Sequence, residues 1–395
     1  MKNTGAIAFD WEVTKLPNSF PWCSNSYAVC FAVAREDGTT RTWLLNHPEC
    51  KQSHAQSISE IKQELDNATR IVAHNAKFDL LWLMHYGIDI SKYKVFCTQV
   101  AEYLLRGQQG GRGELTLEQL SKDYGISDKI DKVKVFWESG YETDEIPSDI
   151  LLPYCEQDCI NTLALYQRQS KRLLLENVSA LATLQFELCK VLATIEYNGM
   201  KVDRTLAENY GEEYGRKLSD IDREIHELLQ SEIGIDTSSL NLNSKDQLSA
   251  ILYGGYIRGE GQELVEKPRK DGSIRSYFRK CVSNVRIKGL GFRPSAETSK
   301  EGVYSTDAEA LKSLKCTTPA QKRILELFQE KAKLSKLKST YFDGIVERLC
   351  PDDTVHPSMN NCITRTGRLS SSSPNGTNMP RGSTGPVKRI FVSRY

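Results

Sequence analysis

Ile7-Ala8-Phe9-Asp10-Trp11-Glu12 is a short apolar run interrupted by two acids two residues apart. Gly5 to Phe9 has the make-up of a buried strand, and on a strand Asp10 and Glu12 point to the same face. Two acids on one face of a central strand can grip one cation. Two more acidic stretches follow. His74-Asn75-Ala76-Lys77-Phe78-Asp79 comes where an expected strand, Arg70 to Ala73, hands over to an expected helix, Phe78 to Tyr86. Tyr154-Cys155-Glu156-Gln157-Asp158 lies in a helical stripe from Leu151 to Tyr166, so Tyr154 and Asp158, at i and i+4, share a face. Four acids gathered at one point repel, so a fold that gathers them needs bound cations. Two divalent ions on carboxylates are one way to hydrolyse a phosphodiester. Magnesium or manganese suits an all-oxygen ligand set, and a neutral tyrosine hydroxyl can orient the attacking water. Each piece alone is commonplace; the fixed order, each on the element its chemistry needs, points to a metal-dependent nuclease.

The remaining patterns frame that site. Short strands at Tyr27 to Ala34 and Thr42 to Leu45 and a helix at Ile58 to Leu65 complete an α/β layer pattern to about Gln169. From about Asn177 to Gln230 the pattern is helical, with Leu181, Leu184, Leu188, Val191, Leu192 and Ile195 expected on one apolar face and Asn198-Gly199 as the stop. Asn241-Leu242-Asn243-Ser244 reads as a turn with an N-cap before a helix over Gln247 to Tyr253. Arg258 to Arg293 holds ten basic and four acidic residues and is read as a loop or hairpin excursion, either a solvated arm or a DNA clamp. Helices resume at Ala308 to Leu314 and Ala320 to Glu347, and Val355 to Tyr395 reads as turns and short strands.

Composition excludes little else. The 395 residues allow two or three domains, and 39% hydrophobic with 26% charged residues is ordinary for a soluble globular chain. A net charge of +1 is silent about partners, since opposite patches cancel in the sum. The 11 cysteines lack paired C-x-x-C elements, and the four-residue step from Cys155 to Cys159 suits no zinc finger, so reduced thiols of a cytoplasmic protein are expected. Neither a signal peptide nor a membrane-spanning run is apparent.

The three acidic stretches resemble the Exo I, Exo II and Exo III motifs, D-x-E, N-x-x-x-[FY]-D and Y-x-x-x-D, of the DEDDy 3′–5′ exonucleases that proofread for family A DNA polymerases. The resemblance implies an RNase H-like domain with catalytic residues Asp10, Glu12, Asp79, Tyr154 and Asp158. Asp10, Glu12 and Asp158 would hold one Mg2+ or Mn2+, with Asp10 and Asp79 sharing a second. Tyr154 would orient the water, and Leu16 and Asn75 would hold a frayed DNA 3′ end. Downstream, Glu196 to Asp203 resembles the join between exonuclease and thumb, Asn243 to Leu248 the N-S-x-x-Q-L thumb motif, and Lys333 to Tyr341 the K-L-x-x-T-Y end of the long thumb helix. Thr364-Arg365-Thr366-Gly367-Arg368-Leu369-Ser370-Ser371 with Pro374-Asn375 resembles T-x-T-G-R-L-S-S-x-x-P-N.

The resemblance implies an exonuclease domain over residues 1–175, a helical thumb over 176–350 with the basic insertion at 256–293, and the start of the palm over 351–395. Thr364, Arg368 and Asn375 would line the primer–template duplex, and Lys336 and Lys338 would reach its phosphates. Gly376 to Pro380 departs from the family's L-Q-N-I-P. The sequence stops at Tyr395, short of the family's polymerase carboxylates, so no synthesis is expected from this chain alone. The expected activity is two-metal release of 5′-mononucleotides from DNA 3′ ends, with single-stranded ends preferred because the terminal nucleotides must be unpaired to reach the acids. A second reading makes the chain the DNA-binding half of a split polymerase, with a C-terminal polypeptide as partner. A third makes it a stand-alone exonuclease of the RNase D or Werner-like kind, for which truncation near Gln169 leaves activity unchanged. A processivity factor is a further partner expected, and the host cytoplasm is the location if the gene is a phage's.

Overall fold

The computed structural model describes residues 5–15, 19–109, 113–126, 132–234, 240–268, 274–294, 298, 300, 302–382 and 385–394. The chain divides into two compact units. One joins Met1–Arg204 to Glu347–Tyr395; the other is Thr205–Val346.

The first unit is built on a five-stranded sheet. Its elements are β1 (Ala6–Val13), β2 (Ala28–Arg35), β3 (Thr40–Leu44), α1 (His54–Asp66), β4 (Arg70–Ala73), α2 (Ala76–His85), β5 (Val95–Cys97), α3 (Thr98–Leu105), α4 (Leu117–Asp123), α5 (Lys132–Glu138), α6 (Ser148–Leu175) and α7 (Ser179–Asn198). Strand order is β3-β2-β1-β4-β5. β3, β2 and β1 run antiparallel, while β4 and β5 lie parallel to β1. The apolar run in β1 is there because the strand is central: Ile7, Ala8 and Phe9 are almost wholly buried, as are Val29, Phe31 and Val33 beside them in β2. Helices cover the sheet, with α6 across β1 and β2 and α7 against β5 and α2. The α/β layer expected from the sequence is therefore present, with β1 to β4 within a few residues of the expected places, while β5 was not expected.

α7 corrects one reading. Its buried face is Ala182, Phe186, Cys189, Leu192, Ala193 and Glu196, whereas Leu181, Leu184, Val191 and Ile195 are exposed. Small residues let α7 approach α2 closely, so the large-leucine stripe is not the packed one; only Leu192 of the expected face is buried.

Gly199 ends α7 with φ 64° and ψ −169°. That conformation is open essentially only to glycine, and a Cβ there would lie 2.8 Å from the Val355 carbonyl oxygen and 2.6 Å from Thr354 Cγ2. The close approach lets Met200 and Lys201 pair with Val355 and Thr354. The same turn takes the segment near the C-terminus: the Val392 N–H donates to the Lys201 carbonyl at 3.1 Å and the Asp203 N–H to the Ile390 carbonyl at 2.7 Å. Gly199→Ala is expected to destabilise the protein by about 1–3 kcal/mol, read as a lower denaturation midpoint at unchanged slope.

The second unit is helical, with long helices at Arg204–Ile233 and Pro319–Lys336 and shorter ones at Lys245–Tyr253 and Ala308–Ser313. Ser244 caps its helix as expected, accepting the Gln247 N–H. The basic excursion is a hairpin, with Gly255–Pro268 paired antiparallel to Ile274–Ile287. Ile257 and Ile287 bury its base in this unit's core with Ile225, Ile251 and Ile324. Most side chains along its length lie outside the described residues. Lys338 and Tyr341 fall in a π-helical turn, Leu337–Asp343.

Candidate active site

Each acid reaches the pocket through a local device. In β1, Asp10 lies opposite Ala32 and Glu12 opposite Cys30 in β2, two small partners that leave room above the sheet. A register shift follows between Glu12 and Val13, the kind of bulge that re-aims a side chain at a site. Asn75 turns β4 into α2 by adopting a left-handed conformation, φ 56° and ψ 44°, which asparagine tolerates better than most residues. The turn sets Asp79 in the first turn of α2, where it accepts the Trp11 backbone N–H. α6 supplies Tyr154, Cys155 and Asp158 from one face.

The acids are held where charge is costly. Glu12, Asp79 and Asp158 are buried, Asp79 to 1% exposure. Desolvation is the leading force raising the Asp10 carboxyl well above the usual range, followed by Cys155, Glu12, Asp79 and Asp158. Burial also raises Asp79, with Cys97 and Cys155 adding to it and backbone N–H groups opposing it. Asp79 Oδ1 is buried and has no hydrogen-bond partner. A hard cation fits such a place: it would neutralise the repulsion and take the orphaned oxygen.

The tightest cluster is Asp10, Glu12 and Cys155, one ligand atom of each within 4.8 Å of the others. Cys155 went unremarked as a site residue in the sequence, because a cysteine between the lettered positions of a motif carries no signal. Trp137 is another residue that sequence reasoning missed: its ring meets Tyr154 edge-on at 5.8 Å and lies beneath the Lys15 ammonium, 3.3 Å from the ring centre. Tyr154 is half-buried, its ring held by that contact.

The other expected residues fare differently. Leu16 lies outside the described residues. Asn75 lines a cleft of about 520 Å³ with Lys77, Gln99, Asn360 and Asn361. Thr364 Oγ1 donates to the Arg368 carbonyl at 2.7 Å, and the Thr364 carbonyl accepts the Tyr103 hydroxyl at 2.5 Å. Arg368 is exposed at that turn. The Asn375 side-chain oxygen accepts the Asn378 N–H at 3.1 Å, so it holds its own loop. In the second unit Lys336 is exposed, whereas Lys338 pairs with Asp343 at 2.5 Å. Lys331, in the same lysine series, is buried against Asp222 at 2.6 Å.

Lys77 also escaped notice. It lies between Asn75 and Asp79, forms an ion pair with buried Glu196 of α7, and donates to the Met359 carbonyl at 2.5 Å. Glu196 in turn accepts the Met359 N–H. The Ser358–Asn360 strand, antiparallel to Ser370–Ser372, is thereby tied to α2 and α7.

A mixed sheet that gathers buried acids from a central strand, a strand–helix junction and a long covering helix defines a nuclease-type α/β domain. Residues 1–174 match the family model of the 3′–5′ exonuclease domain, and residues 273–395 that of DNA polymerase family A. The chain thus carries a 3′–5′ exonuclease domain and part of a DNA polymerase family A domain. It is 28% identical over 404 residues to DNA polymerase I of Chloroflexus aurantiacus, covering 100% of this chain and 37% of the relative. It is 27% identical over 355 residues to the DNA polymerase of Bacillus phage SP01, covering 82% and 36%. The chain thus spans little more than a third of these relatives. Its fold is similar to the POL domain of Pol1 from M. smegmatis, solved in complex with DNA primer-template and dNTP, with TM-score 0.65, 21% identity, and coverage of 97% of this chain and 53% of that one. No described helix is long and apolar enough to cross a membrane.

Proposed function

We propose that this chain removes nucleoside 5′-monophosphates from DNA 3′ ends and does so as the proofreading portion of a DNA polymerase. Asp10, Glu12, Asp79 and Asp158 are the ligands for two Mg2+ or Mn2+ ions. Such ions, when bound, lower the pKa of water and offset charge on the attacking and leaving oxygens. The chain's own groups do the rest. The Tyr154 hydroxyl orients the attacking water, held in place by the Trp137 ring. Asn75, on the rim of the cleft, positions the terminal nucleotides, and Leu16 packs against them. Arg368, with its forked donors, contacts the duplex at the Thr364 turn. Lys336 and Lys338 reach phosphate, Lys338 by exchanging its Asp343 partner for it, and Asn375 lines the duplex from the loop that it holds. A polypeptide with polymerase palm and fingers, a processivity factor and the cytoplasm are the partners and place that go with this reading.

The observation that carries the proposal is the buried convergence of Glu12, Asp79 and Asp158 on Asp10, with Asp79 Oδ1 buried and without a hydrogen-bond partner. The test is a 3′-end degradation assay on 5′-labelled DNA with magnesium, then with chelator. Stepwise shortening that needs magnesium and is faster on single strands than on duplex is expected. Internal cuts, or shortening unaffected by chelation, would overturn it.

A further inference from the structure

We infer that the acidic pocket is a mixed oxygen–sulfur metal site in which Cys155 supplies a thiolate to thiophilic divalent ions such as Zn2+ and Cd2+. The inference rests on the reading of this pocket as a metal site, and it adds a ligand that an all-carboxylate site lacks.

The geometry brings the thiol to the acids. One oxygen of Asp10, one of Glu12 and Cys155 Sγ lie within 4.8 Å of one another. Sγ is 4.0 Å from Asp10 Oδ2. In a tetrahedral site with bonds of about 2.3 Å to sulfur and 2.0 Å to oxygen, ligand atoms stand roughly 3.5 Å apart. A closure of about half an ångström brings Sγ and Asp10 Oδ2 to that spacing, and one of no more than about 1.3 Å, within the swing of a carboxylate, brings in Glu12. Cys155 cannot turn aside easily, because it is fully buried three residues before Asp158 on the inward face of α6. A second observation points the same way: Asp79, 1% exposed, keeps Oδ1 without a hydrogen bond. Its charge is within the field of the Cys155 sulfur. Asp79 stands outside the three-atom cluster but acts on Asp10 within it.

Ion chemistry then divides the occupants. Mg2+ prefers oxygen and its own waters and leaves the thiol protonated. Zn2+ and Cd2+ gain from sulfur; as the metal–sulfur bond forms, the S–H bond breaks and its proton leaves to solvent. Zinc should consequently occupy the pocket tightly and compete with magnesium. The opposing view is that Cys155 is a small buried hydrophobe whose weak contact with the Asp10 carbonyl, 3.7 Å, is its whole role.

The test uses the full chain, freed of metal and reloaded with one equivalent of Zn2+, read by X-ray absorption. One sulfur scatterer at about 2.3 Å beside oxygens is expected. Cd2+ should give a thiolate charge-transfer band in the ultraviolet that Cys155→Ala abolishes, with cadmium affinity at least about tenfold weaker in Cys155→Ala and in Glu12→Gln. An oxygen-only zinc shell, or a cadmium band unchanged in Cys155→Ala, overturns the inference; the zinc spectrum needs no variant and so survives a folding failure. Magnesium-dependent degradation by the same preparation separates the two readings. Activity with oxygen-only zinc sinks this inference alone, and sulfur-ligated zinc without activity sinks the nuclease reading alone.

Discussion

Asp10→Ala lowers magnesium-dependent 3′-end degradation by about 10³-fold or more. Metal charge stabilisation is worth several kcal/mol in such reactions, and each 1.4 kcal/mol or so is a factor of ten. Asp10 is the acid on which Glu12, Asp79, Asp158 and Cys155 all act, so its loss weakens the site for every bound ion. Single-turnover rates at saturating magnesium are the measurement, and a rate within about tenfold of the parent would remove Asp10 from the metal site. Stability should move the opposite way. The Asp10 charge is disfavoured by burial and by its neighbours in the metal-free protein, so the variant should melt higher than the parent in chelator and gain less from added magnesium. A functional site that costs stability is the usual trade.

Lys77→Met should be the most destabilising single change outside the hydrophobic core, by about 3–5 kcal/mol, because it strands a buried carboxylate. The Glu196 side chain is 1% exposed and that of Lys77 13%. Burial already raises the Glu196 carboxyl above its ordinary value, with Lys77 and the Met359 N–H acting against it. Without Lys77, one main-chain donor remains. Protonation relieves the cost: with a raised folded pKa, the charge penalty is absent below the free value of about 4.3 and grows as pH rises through the folded one. Chemical denaturation at pH 4 and pH 8 checks this, the deficit being larger at pH 8. Adding Glu196→Gln should recover much of the loss, as expected when a stranded charge rather than a lost attraction sets the penalty. Equal deficits at both pH values would mean that packing alone is at stake.

The sheet was legible because a central strand advertises itself. Ile7 to Phe9 and Val29 to Val33 are apolar without alternation, and Asp10 and Glu12 stand out against that background for the same reason. Helix α7 was legible as a helix but not in its orientation. Two stripes compete on it, and the buried one mixes Phe186 and Leu192 with Ala182, Cys189 and Ala193, which weigh little in a hydrophobic count, and with the acid Glu196. Asp10 and Glu12 could be paired from spacing, since both lie on one strand, whereas the action of Asp79 and Asp158 on Asp10 is tertiary. Cys155 and Lys77 could not be placed that way. The first needs knowledge of how closely α6 approaches β1, and the second needs a partner 119 residues away. The lysines near 331–338 show the limit of charge patterns: Lys331 and Lys338 have their own acids, Asp222 and Asp343, and those partnerships are tertiary.

The first unit draws on both parts of the sequence, Met1–Arg204 and Glu347–Tyr395, with Thr205–Val346 between them. During translation the sheet and its acids emerge early, but Thr354, Val355 and Ile390, which close onto the Gly199 turn, leave the ribosome only after the whole intervening unit. The nascent domain must therefore wait with Lys77 and Glu196 lacking their Met359 contacts. The Met359, Ile390 and Val392 contacts form only after Thr205–Val346 has emerged, so metal loading followed on stalled chains of increasing length should show the acids gathered before that clasp closes.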